Sequence, residues 1–186
     1  MLHSSTQTLL NYWFSLRHGK QVPSRQAFDP THLSRVLPQL MMLGLERDRY
    51  PFRLSGGLLV RLHGHELRGL DFANLIAAPY RAGLREALSL CVSQNTPVVL
   101  SLVGRTSRNG TLRMQIPLAP LADSAGRTDR LVGLYQPLAP LDTLDGDTLA
   151  SFALRSANLT QSANGIMPPH LRLAAVDGQT MLATPA

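Results

Sequence analysis

The stretch that most constrains this chain is a strict alternation. Leu112, Met114, Ile116 and Leu118 are apolar, with Arg113, Gln115 and Pro117 between them. A period of two puts the apolar set on one side of an extended backbone, so the segment reads as a strand with one buried face. Asn109-Gly110, just before it, suits the positive-φ positions of a tight hairpin turn, which makes residues 98–105 its antiparallel partner. Pro117 has no N–H to give and implies a position near an edge or strand end. Residues 130–138 read as the next strand, after a polar turn at 122–129. Earlier, residues 39–45 and 51–56 flank Glu46-Arg47-Asp48-Arg49 and read as another hairpin. The expectation is about five antiparallel strands.

Between the strand groups the period lengthens. Leu58, Leu59 and Leu62 mark a short helix over 58–64, and 72–76 reads as a helical turn. Tyr80, Leu84, Leu88 and Cys91 form a stripe that predicts a longer helix over 79–92, with Pro79 in its first turn. At the start, Leu9, Leu10, Trp13 and Leu16 predict a helix over 6–18, capped by Ser4, Ser5 or Thr6 and ended by Gly19. Pro23 holds Val22 extended. Asp29-Pro30 then starts a helical turn over 30–37, with Leu33, Val36 and Leu37 facing inward.

Helices inserted between two strand groups define an α+β domain with helices on one sheet face. An N-terminal helix and linker (1–30) precede a central domain (31–140). A C-terminal extension (141–186) follows. In it, 144–159 reads as a helix, 162–169 as a loop and 171–176 as a strand, with the end fraying from Gly178.

A length of 186 residues, 44% of them hydrophobic, suits one domain with a buried core. No apolar run reaches the roughly 20 residues of a membrane span. The first residues lack a basic-then-apolar leader, so a cytoplasmic location is expected. Cys91 is the one cysteine, which excludes an intrachain disulfide. Lys20 is the one lysine among 18 basic residues, the rest being scattered arginines. Nucleic-acid binders concentrate such charge on one face, so that partner is not expected here.

Tyr12-Trp13, Leu16-Arg17, Gly19, Val22-Pro23-Ser24-Arg25, Phe28-Asp29-Pro30 and Leu37-Pro38 form a spaced constellation. Phe52-Arg53-Leu54-Ser55-Gly56, Gly64 with Glu66-Leu67-Arg68-Gly69, and Ile116-Pro117-Leu118 extend it. Over residues 9–138 this resembles a PAS-like bacterial family. Ser55 stands where that family usually has Val, and Gly57 where Thr is common. The resemblance implies a PAS-like fold, an antiparallel sheet of about five strands with short helices over one face enclosing a small space. It further implies sensing, homodimerisation or docking of a signalling partner, with some relatives linked to bacterial motility and cell-cycle signalling. The chain is too short to carry an output enzyme as well, so a signal would leave through binding.

The residues themselves point to no catalytic centre. Gly-x-Ser-x-Gly is absent, and Gly104 to Gly110 ends in Thr111 where a phosphate loop needs Lys. His32, His63 and His65 read as surface or loop histidines rather than haem ligands. No histidine pair has zinc spacing. Cys91 reads as a small core residue. Asp142, Asp145 and Asp147 lack a calcium-loop pattern and read as a solvated acidic turn.

What remains is binding. Met42, Arg53, Leu54, Leu62, Leu88, Leu100 and Met114 are the candidate lining of a ligand pocket, with no cofactor indicated. Tyr12, Trp13, Arg17, Arg25 and Asp29 are the candidate docking or interface residues. For Trp13 and Tyr12 a place in the core is the alternative, and for Arg25 with Asp29 a salt bridge or cap that pins the linker. A non-catalytic sensory or regulatory module is the expected function. The competing expectation is a small enzyme with a cone-shaped, nuclear-transport-factor-like pocket, which needs an Asp–His or Tyr–Asp pair.

Overall fold

The computed structural model describes residues 1–144, 146–162, 165–166, 172–176 and 179–182. Helix α1 (Ser4–Leu16) leads to a linker and a 3-10 turn at Pro30–Gln39. Strands β1 (Leu40–Gly44) and β2 (Phe52–Ser55) form the first hairpin. Helix α2 (Gly57–His63), two short 3-10 turns and helix α3 (Arg81–Ser93) follow. Then come β3 (Val98–Thr106), β4 (Thr111–Ala122), β5 (Thr128–Leu134) and β6 (Gln136–Pro137). The extension adds β7 (Leu149–Ser162), β8 (Gly165–Ile166), β9 (Arg172–Val176) and β10 (Gln179–Leu182).

These strands form one antiparallel sheet in the order β10-β9-β7-β3-β4-β5-β1-β2, with β6 paired to β4 and β8 to β7. The alternation in β4 puts its apolar set on one side as expected, but from Met114 to Ala122 the strand is buried on both faces rather than one. Leu112, Met114, Ile116 and Leu118 enter a core beneath α2 and α3, while Ala119 and Leu121 enter a second core beneath α1. Both cores are needed because each sheet face carries an apolar set that must leave water. On the second face Trp13 is fully buried and its Nε1 donates to the Pro120 carbonyl at 2.7 Å.

Several expectations change. Helix α1 begins earlier, with His3 rather than a serine accepting at its cap. Leu37 is 39% exposed, because the 3-10 path turns it out while Leu33 and Val36 go in. Pro117 lies in a central strand. The ladder on one side of β4 is interrupted there, since pairing to β6 ends at Gln115 and pairing to β5 begins at Leu118.

The largest change is β7, which replaces the expected helix over 144–159. Leu149, Phe152 and Leu159 recur at helix-like spacing because the strand carries two bulges. Ala150 and Arg155 have no partner on β3, and each extra residue shifts the two-residue period. Phe152, Leu154, Ala157 and Leu159 all reach the helix-covered core. β10 pairs with β9, so its four residues are strand rather than frayed end. Asp145, Leu171 and most of the expected loop at 162–169 lie outside the described residues.

Candidate regulatory site at the α2–β7 junction

Helix α2 starts after Gly56 and ends at Gly64 in the left-handed conformation, φ 73°. That short span puts Leu58, Leu59, Leu62 and His63 inward. His63 is 5% exposed, which corrects its reading as a surface or loop residue. Tyr135, where β5 gives way to β6, directs its hydroxyl at His63 Nε2, 3.4 Å away. Phe152 of β7 completes the group: its ring centre lies 6.0 Å from that of His63 and 5.8 Å from that of Tyr135. Both contacts approach edge-to-face, a favoured aromatic arrangement.

Burial lowers the His63 pKa to about 4, the nearby His65 adds to this, and a hydrogen bond with the Leu149 backbone opposes it. The imidazole is therefore neutral at physiological pH, and its Nε2 is free to accept from the Tyr135 hydroxyl. Burial also raises the Tyr135 pKa, keeping that hydroxyl protonated. A neutral donor–acceptor pair is the form that an apolar interior tolerates.

Outside this group lies a cleft of about 370 Å³ lined by Arg61, Leu62, Leu141, Asp142, Leu144 and Asp147. Its far wall comes from the segment between β6 and β7. Asp147 is held there by the Ser107 hydroxyl and by the N–H groups of Arg108 and Thr148. These hydrogen bonds, with that from Ser107 foremost, pull its pKa down to about 2.

The candidate pocket residues separate into two sets. Leu62, Leu88, Leu100 and Met114 meet in the core under α2 and α3. Leu88 also floors a larger cleft of about 600 Å³ beside Tyr50 and Arg85. Met42, Arg53 and Leu54 lie elsewhere. Met41 faces the helix-covered core, so alternation sends Met42 to the opposite face. Arg53 is a bulge residue without a β1 partner, and its guanidinium pairs with Glu46 on the surface. That extra residue turns Leu54 to the Met42 side, where it is 44% exposed. The space expected under the helices is occupied by side chains, among them fully buried Phe52, Phe72, Tyr135 and Phe152.

The candidate docking residues instead fasten the linker to the second face. Trp13 is buried core, which takes it out of any free surface. Tyr12 stacks on His32, 5.0 Å between ring centres, and its hydroxyl accepts from the Asp29 N–H at 2.8 Å. Arg17 lies over the Trp13 ring at 5.4 Å. Asp29 caps the 3-10 turn by accepting from Thr31 N–H at 2.9 Å, and this bond lowers its pKa. Arg25 does not pair with Asp29. It reaches Asp129 at 3.0 Å, because residue 25 hydrogen-bonds alongside Ala122 and faces the start of β5.

Tyr135 and Phe152 were not among the candidates. Each is an ordinary aromatic residue in an apolar run, and only the strand pairing brings it to α2.

An antiparallel sheet with a roof of short helices and a second helix behind it defines an α+β single-sheet domain. The PAS domain family matches residues 1–136, and the chain belongs to that family. No curated protein matches it. Among solved structures it is similar to an RNA-binding light-oxygen-voltage receptor, at 14% identity and TM-score 0.47 over 66% of this chain and 37% of that one. It therefore spans little more than a third of that receptor. It is similar to the Rhodobacter sphaeroides LOV protein, at 12% identity and TM-score 0.47 over 63% of this chain and 72% of that one. The dark-state LOV domain of the blue-light photoreceptor Aureochrome1 is similar at 14% identity and TM-score 0.47, over 69% of this chain and 93% of that one. No helix among the described residues is long and apolar enough to cross a membrane.

Proposed function

We propose that this chain is a non-catalytic sensory or regulatory module that works in the cytoplasm by binding. It takes a small ligand at the α2 side and passes the event through β7 to a second copy or a signalling partner. The observation that carries this reading is the place of His63. It is adjacent to Leu62 of the surface cleft, it meets Tyr135 from the family-matched segment, and it meets Phe152 from the extension. A displacement of α2 therefore reaches the extension through packed side chains, which deform in discrete steps rather than continuously.

The enzyme reading has less support. His63 has a tyrosine partner rather than a carboxylate. Buried Asp71 is occupied structurally, accepting the N–H groups of Tyr50 and Ala73. PAS family membership favours the sensory reading.

Purification under ligand-retaining conditions from the native host, followed by native mass spectrometry and a mass measurement in solution, tests the proposal. A retained small molecule, a dimer or a stoichiometric partner supports it. An empty monomer that captures no partner refutes it.

A further inference from the structure

Beside the α2 cleft, and sharing Arg61 and Leu141 with it, lies a second cleft of about 420 Å³ between the Pro30–Gln39 turn and α2. Arg35, Gln39, Gly57, Leu58, Arg61 and Leu141 line it, and no acidic residue does. Neither Arg35 nor Arg61 forms an ion pair among the described residues. Two guanidinium groups at one cleft raise its affinity for anions, and each presents a planar fork suited to an oxyanion. The carboxylates of Asp142 and Asp147 line only the neighbouring cleft that shares Arg61. Leu58 and Leu141 supply an apolar wall. Gly57 leaves the middle open, since a Cβ built there meets nothing within 4 Å.

We propose that this cleft binds a small organic anion. A carboxylate or phosphate monoester sits between Arg35 and Arg61, and the apolar body lies on Leu58 and Leu141. The inference rests on the regulatory reading above, in which α2 responds to binding. The connection is short: the Gln39 carbonyl accepts the Tyr135 N–H at 2.9 Å, and Arg61 is two residues from His63 on the same helix.

Titration calorimetry with phenyl phosphate, benzoate, inorganic phosphate and benzyl alcohol tests it. Phenyl phosphate or benzoate should bind more tightly than benzyl alcohol, which lacks the charge, and than inorganic phosphate, which lacks the apolar body. Arg35→Ala and Arg61→Ala should each weaken binding about tenfold, the value of one charge-assisted contact. Both side chains are exposed, so the fold should stay unchanged by circular dichroism. Gly57→Leu should fill the cleft and abolish binding in a folded protein. No binding to wild type at millimolar concentrations, or equal affinity in all three variants, overturns the site. Hydrogen exchange of β7 in the same samples separates this claim from the broader one. Binding that leaves β7 protection unaltered upholds the anion site and removes the regulatory coupling.

Discussion

Phe152 sits opposite Gly104 across the β7–β3 ladder, and its ring occupies the space that a side chain at Gly104 would need. A Cβ there would come within 3.1 Å of Phe152 Cε1 and 2.6 Å of Leu149 Cδ2. The small residue belongs to the family-matched segment and the large one to the extension, so the contact joins the two. Gly104→Ala should cost about 1–3 kcal/mol by overpacking. Phe152→Ala should cost about 3–5 kcal/mol by leaving a cavity. Urea unfolding measures both, and a Phe152→Ala protein as stable as wild type would show that β7 is not part of the folded core.

Trp13 anchors α1 to the other face through burial and its bond to Pro120. Trp13→Phe keeps most of the apolar area but strands a buried carbonyl, and should cost about 1–3 kcal/mol. Trp13→Ala should cost about 3–5 kcal/mol. A loss below about 0.5 kcal/mol for both, the range of ordinary surface positions, would place this residue on a free surface after all.

His63 makes stability depend on pH in a defined window. Its pKa is 6.5 when unfolded and about 4 when folded, so between those values the unfolded chain binds the extra proton. Stability is then complete above about pH 6.5 and falls as pH drops toward 4, by at most about 3 kcal/mol. His63→Phe should remove that slope. Asp147 acts lower: its folded pKa of about 2 lies below its unfolded 3.8, so its contribution is present above pH 3.8 and is lost as pH falls toward 2. Unfolding curves between pH 7 and 4 decide the matter, and an unchanged slope in His63→Phe would contradict a neutral buried imidazole.

Cys91 is fully buried, its Sγ faces the Leu118 carbonyl at 3.8 Å, and burial pushes its pKa up to about 12. A thiol that is neither ionised nor accessible should not react with a colorimetric disulfide reagent in the native protein. It should react at once in denaturant. Rapid native labelling would mean that α3 opens readily from the sheet.

Where a cause was local, the sequence was legible. The β4 alternation, the turn at Asn109 with its φ of 65°, the Asp29 cap and the α3 stripe each depend on residues within a few positions of one another. The same local logic turned Leu62, Leu88, Leu100 and Met114 inward, where they meet as packed core although the expectation for them was a pocket lining.

Tertiary structure decided whatever depended on register. One unpaired residue at Arg53 carried Leu54 to the opposite face, and two more at Ala150 and Arg155 made a strand look helical. Arg25 found its partner 104 residues away. Phe152 met His63 only when β7 joined β3, and Tyr135 only when β5 and β6 joined β4. The amino-acid order by itself determined which segments are extended or helical and which of their faces avoid water, because backbone geometry and hydrophobic period act over one or two turns. Which faces meet was decided by strand pairing, where a single bulge reverses every side chain beyond it.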